Sequence, residues 1–150
     1  MTQKFQDKYL PSGHWTQRYV IWSVDPKTNR VLTYLDALTN LEWQAEPALN
    51  KMNWKDALEY AENLKLDGGN WHLPTIEELK TLIVEGKTPA SDLPGILGPE
   101  RDQCWFWSSS ANASNSSFAL YVDFNYGYVF SDAKGSGLHV RCVRAGPLKI

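Results

Sequence analysis

Cysteine, histidine and unbroken apolar stretches are all scarce in this chain of 150 residues, and each scarcity removes a class of function. Two cysteines, Cys104 and Cys142, permit one disulfide and require none; two reduced core thiols are at least as good a reading as one bridge. The three histidines, His14, His72 and His139, stand far apart in sequence, with none of the spacings that hold zinc. No nucleophile motif and no phosphate-cradling glycine loop accompanies them, so little supports an enzyme. No apolar run approaches the roughly 20 residues needed to cross a bilayer. Met1 to Leu10 is too polar for a signal peptide, so the expectation is an intracellular protein or one whose signal or anchor has been removed. An excess of one charge is missing too. Fifteen Lys and Arg against 17 Asp and Glu give a net charge of -2 and no basic footprint for nucleic acid or an anionic membrane.

What remains fits one domain with a real core. Aromatic residues make up 13% of the chain, including seven Trp and seven Tyr. Most of them are expected to supply core bulk, and the rest a surface that grips ligands with flat rings.

Met1 to Gly13 reads as a polar N-terminal arm. Arg18 to Val24 and Arg30 to Leu35, rich in β-branched and aromatic residues, flank the turn-forming Asp25-Pro26-Lys27-Thr28-Asn29 and predict a β-hairpin. Asn53 can cap a helix from Trp54 to about Leu66, with Trp54, Ala57, Leu58, Ala61 and Leu64 as its buried stripe. Gly68-Gly69 can close that helix in the left-handed conformation, and Pro74 holds the chain extended before the next one. Thr75 followed by Glu78 is a capping box, after which Ile76, Leu79, Leu82 and Ile83 share a helical face. Glu85 to Asp102 is dense in Gly and Pro and predicts a long irregular loop, equally suited to scaffold and binding.

In the last third, Leu120 to Phe124 alternates as a half-buried strand should, with Leu120, Val122 and Phe124 inward. A turn at Asn125-Tyr126-Gly127 leads to Tyr128-Val129-Phe130 and a second hairpin. The candidate ligand-binding residues lie here: Asn112, Asn115, Tyr121, Asn125, Tyr126, Tyr128, Phe130, Asp132, Ser136 and His139. Small polar and aromatic side chains on short hairpins make adaptable binding surfaces.

Several motifs carry a family resemblance. Trp71-x-Leu73-Pro74-Thr75-x-x-Glu78-Leu79 resembles the signature of the bacterial Lcl C-terminal domain family, named after collagen-like adhesins. Asp36-x-x-Thr39-Asn40-Leu41-x-Trp43-Gln44, Trp54-x-x-Ala57, Trp107-Ser108-Ser109 and Val140-Arg141-x-Val143-Arg144 are similar to further family segments, so the likeness covers roughly residues 36 to 144. Asn40 stands where Gly is usual, and His72 where Arg is. Ala61 lies near the helical position of a Cys that in the family often faces the last strand's Cys, so the usual bridge is not expected.

The resemblance implies an α+β, C-type-lectin-like fold of two helices, terminal strands and a small antiparallel sheet with long loops. It further implies an extracellular or cell-surface site and a glycan, glycosaminoglycans among them, or a host protein as partner. Family adhesins are often trimeric, so a homo-oligomer is a further expectation. No cofactor follows from it. Calcium lectins grip sugar through Glu-Pro-Asn or Gln-Pro-Asp, and Glu46-Pro47-Ala48, the nearest approach, precedes the first helix. Formylglycine-generating enzymes share a related fold and use cysteines, but nothing of their active-site sequence surrounds Cys104. In some members of this lectin-like group the segment corresponding to 111–139 is diversified by retroelements, and its Asn, Ser, Tyr and Asp content here is similar. Three readings follow: a non-enzymatic adhesin or lectin-like module, a retroelement-diversified receptor-binding protein, or a structural domain of a surface or phage assembly.

Overall fold

The computed structural model describes residues 18–83 and 104–147. The arm, His14, Trp15 and the loop from Glu85 to Asp102 lie outside the described residues. The first hairpin forms as the turn chemistry dictates, from β1 (Tyr19–Val24) and β2 (Val31–Asp36). Asp25 accepts the Lys27 N–H at 2.8 Å, and Asn29 takes the left-handed conformation at φ 61°. β3 (Leu41–Gln44) follows a turn in which Asn40 stands at φ 60°, the conformation that Gly would otherwise supply. Asp36 is fully buried beneath it. Its carboxylate accepts from the Leu38 N–H, the Thr39 hydroxyl and, at 2.8 and 2.7 Å, both edges of the Arg18 guanidinium. Four donors make it a structural carboxylate rather than a cation ligand.

α1 (Trp54–Asn63) starts where Asn53 accepts the Asp56 N–H at 2.9 Å. It ends about a turn earlier than predicted, because Leu64 is already extended. A 3-10 turn at Leu66–Gly68 then carries the chain through positive φ at Asp67, Gly68 and Gly69. α2 (Ile76–Lys80) begins with both halves of the capping box, Glu78 N–H to Thr75 Oγ1 and Thr75 N–H to Glu78 Oε1. His72 bonds the same Glu78 carboxylate at 2.9 Å, a hydrogen-bonding role beside Trp71.

Two antiparallel sheets organise the α+β fold. The terminal strands form the first, in the order β1-β2-β3-β7, with β7 (Val143–Ala145) beside β3. The second is β4 (Trp105–Ala111), β5 (Phe118–Asp123) and β6 (Tyr128–Ala133), in that order. The ladder between β4 and β5 breaks after Trp107, and the serines of Trp107-Ser108-Ser109 explain why. Ser108 Oγ donates to the Leu120 carbonyl at 2.7 Å, while the Ser109 N–H goes to the Pro74 carbonyl and Ser110 Oγ accepts from the Ile76 N–H. The diverted bonds tie the sheet to the start of α2.

The predicted alternation along β5 needs correction. Val122 and Phe124 are buried, but Leu120 is only half-buried and Tyr121 is 7% exposed. As the middle strand, β5 is covered on both faces. Phe106, Val122 and Phe124 pack with Tyr34, Trp43 and Leu79, while Trp107, Ala119 and Tyr121 pack with Ala57, Ala61 and Trp71 under α1. A strand buried on both sides loses its period of two.

Arg144 closes the domain. Its guanidinium donates to both Glu42 oxygens at 3.0 and 3.1 Å, donates to the Asp67 and Gly69 carbonyls, and lies 4.3 Å from the Trp71 ring. One side chain thus links β7, β3 and the turn between the helices. Cys142 and Cys104 are free thiols, Cys142 buried in the same cluster as Ala61.

Candidate ligand-binding cleft

A cleft of about 470 Å³ opens where the β5–β6 hairpin meets the chain after β6. Its hairpin wall is preorganised by Asp123, which accepts the Asn125 N–H on its side chain at 2.8 Å and the Gly127 N–H on its carbonyl at 2.7 Å. Phe124 is buried and donates its N–H to the Cys104 carbonyl, and Gly127 at φ 76° turns the chain into β6. The loop is pinned at its root, which leaves Tyr126 67% exposed at its tip.

The opposite wall descends from Asp132. Its carboxylate accepts from the Ala133 N–H at 2.7 Å and the Ser136 hydroxyl at 2.9 Å, fixing the turn that follows. Leu138 then pairs with the backbone of Met52 in both directions, which brings Lys51 to the rim. His139 is locked between two neighbours on β4: its N–H donates to the Trp105 carbonyl and its carbonyl accepts the Trp107 N–H, both at 3.0 Å.

Rings run along one face of the sheet from this cleft. Trp105 lies 5.4 Å from Tyr121, Tyr121 5.9 Å from Phe130, and Phe130 6.3 Å from Tyr128. The pairing register produces the row, since Trp105, Asp123 and Tyr128 align across the three strands, as do Trp107, Tyr121 and Phe130. Trp105, Tyr128 and Phe130 are exposed, and Tyr121 is the buried link.

The predicted residues therefore divide. Asn125, Tyr126, Asp132, Ser136 and His139 line the cleft, and Tyr128 and Phe130 flank it on the ring row. Tyr121 and His139, at 7% and 6% exposure, are structural walls more than contact surfaces. Asn112 and Asn115 are not among the lining residues. Each spends its side-chain oxygen on a backbone N–H two residues on, of Ser114 and Ser117, shaping the β4–β5 turn. Lys51, Cys104, Trp105 and Asp123 also line the cleft without having been predicted. Trp105 and Asp123 follow from strand register, a long-range fact, and Lys51 carries no local signal.

The electrostatics do not favour a nucleophile. Burial first, and then the Asp123 charge, push the Cys104 thiol up, and burial drives Cys142 up to about 12. The Tyr121 hydroxyl is also raised, by burial and then by the Asp132 and Asp123 carboxylates. Burial brings the Arg141 guanidinium down to about 10, with Glu46 and Tyr34 acting in the opposite sense. Among the described residues no group of three or more His, Cys, Asp or Glu could hold a metal ion, and no helix is long and apolar enough to cross a membrane.

The family model for the Lcl C-terminal domain matches residues 32–144. The chain belongs to that family. No curated protein matches it. The Lcl C-terminal domain match starts in β2 and ends at Arg144, so it spans both helices, the Arg144 clamp and every residue that lines the cleft. β1 falls outside the match, although its pairing with β2 completes the first sheet.

Proposed function

We propose that this Lcl C-terminal domain is a non-enzymatic recognition module of C-type-lectin-like fold that binds a glycan or a protein at a bacterial surface through the cleft and its ring row. The carrying observation is the exposure of four rings, those of Trp105, Tyr126, Tyr128 and Phe130, around a cleft whose polar lining is already held in place. Rigid rings contribute contact area at low entropic cost, and carboxylate, amide and hydroxyl groups beside them supply direction. Two antiparallel sheets with the last strand beside β3 support the lectin-like reading. A second reading, a face diversified by retroelements, is favoured by one observation. Apart from Trp105, the exposed rings and the amides lie between Trp107 and Val140, both buried scaffold positions at 0% exposure.

The test is a screen of the purified domain against glycan arrays and extracellular proteins, run with calcium and again with chelator. The expected result is saturable binding that chelator leaves unchanged. Binding abolished by chelator would overturn the metal-free mechanism, and silence across both libraries would favour an inert structural domain.

A further inference from the structure

The charge of the cleft narrows the class of ligand, an inference that rests on the recognition reading above. Asp123 and Asp132 both face it, one from each strand of the hairpin, and Asp123 is 4% exposed. Among the described residues neither carboxylate forms an ion pair with a Lys or Arg. The donors they hold are neutral: the Asn125 and Ala133 N–H groups and the Ser136 hydroxyl use the Oδ1 atoms, and the Cys104 thiol also hydrogen-bonds to Asp123. Lys134, the lysine nearest in sequence, is turned away to lie 4.5 Å from the centre of the Trp54 ring. Among the described residues, Lys51 at the rim is the one lysine in the lining. A carboxylate withdrawn from water with only neutral donors is under-compensated, and a cation arriving with the ligand offsets that deficit. Trp105 and Tyr126 belong to the same lining, and the face of an aromatic ring attracts a cation and repels an anion.

We propose that the cleft receives an ammonium or guanidinium group from a basic side chain of a protein ligand at the Asp123 carboxylate, beside the rings of Trp105 and Tyr126, with the Asp132 carboxylate, which pairs four residues farther along β5, adding its charge at longer range. An anionic, sulfated glycan would instead place its charge against both carboxylates, so this cleft selects against it.

The experiment follows backbone and indole N–H signals of the labelled domain while a short lysine peptide is titrated in, beside the same peptide acetylated at Nε. Acetylation removes the charge and changes little else. The expected result is shifts at Trp105, Asn125, Gly127 and Ser136, with the acetylated peptide roughly tenfold weaker, the ratio shrinking as salt rises from low to physiological concentration. Asp132→Asn and Asp123→Asn preserve the Oδ1 acceptors, so each is expected to keep the fold and to reduce the ratio between the two peptides. Two further titrations use an uncharged N-acetylglucosamine tetramer and a heparin tetrasaccharide. Equal binding of the two peptides, or tighter binding of the neutral sugar at the same signals, would overturn the cation preference while leaving the recognition reading standing. Heparin binding at these signals would overturn it as well. No shift at the cleft with any of the four probes would overturn both readings together.

Discussion

At the scale of single residues, position in the sheet decides which tyrosine serves the fold and which serves the surface. Tyr121 joins Trp105 to Phe130 from within the core, whereas Tyr126 and Tyr128 stand 67% and 63% exposed. Tyr121→Ala is therefore expected to cost roughly 3–5 kcal/mol, as truncation of a buried aromatic does. Tyr126→Ala and Tyr128→Ala should shift the melting temperature little. Thermal denaturation of the three variants checks this, and equal losses would mean that the exposed rings are part of the core. The thiols allow a second test. Cys104 is half-buried and Cys142 fully buried with its pKa raised from 9.0 to about 12, so the folded state favours the protonated Cys142 thiol. That contribution is complete below pH 9 and lost as pH rises from 9 towards 12. A thiol reagent at pH 8 should label Cys104 first and Cys142 only as the chain unfolds, and denaturant midpoints should fall above pH 9. Equal labelling of both thiols in the native protein would contradict the burial.

At the scale of elements, the ends of the segments were more legible in the sequence than their middles. Asn53 and Thr75 with Glu78 act through neighbours within four residues and make the local bonds their residue types predict, and Asn40 takes the positive φ its residue type tolerates. Strand β5 was misread for the opposite reason. Its two-sided burial depends on α1 covering one face and α2 the other, and nothing in residues 118–124 states which helix returns to them. The same limit applied to the cleft. Its hairpin residues were visible as a run of Asn, Tyr and Ser, but Lys51 reaches it only because Met52 pairs with Leu138 across 86 positions, and Trp105 only through its register with Asp123. The motif Val140-Arg141-x-Val143-Arg144 was legible as a closing strand, while the purpose of its last arginine was not. Arg144 is a partly buried hub with five donated bonds to Glu42, Asp67 and Gly69, counting the 3.4 Å contact to Asp67 Oδ2. Removing one partner of a buried ion pair leaves the other uncompensated, so Arg144→Ala is expected to cost roughly 3–5 kcal/mol in chemical denaturation. A loss well below 1 kcal/mol would show that the pair is no more than a surface bridge.

At the scale of the whole molecule, the Lcl C-terminal domain fold separates support from display. The first sheet, the two helices and the Arg144 clamp hold the two ends of the C-terminal segment, and the three-stranded sheet presents rings and carboxylates around one cleft. Such a division lets the exposed residues change while the buried ones keep the shape, which is the physical basis of the recognition reading. The measurement that tests it most directly is the affinity of a captured glycan or protein for the parent domain and for the Tyr126→Ala/Tyr128→Ala double variant, with melting temperatures recorded for both. The account predicts at least a tenfold loss of affinity, about 1.4 kcal/mol, at a nearly unchanged melting temperature. Undiminished affinity in the folded double variant would contradict it, because the ligand would then be held by some other face of the domain.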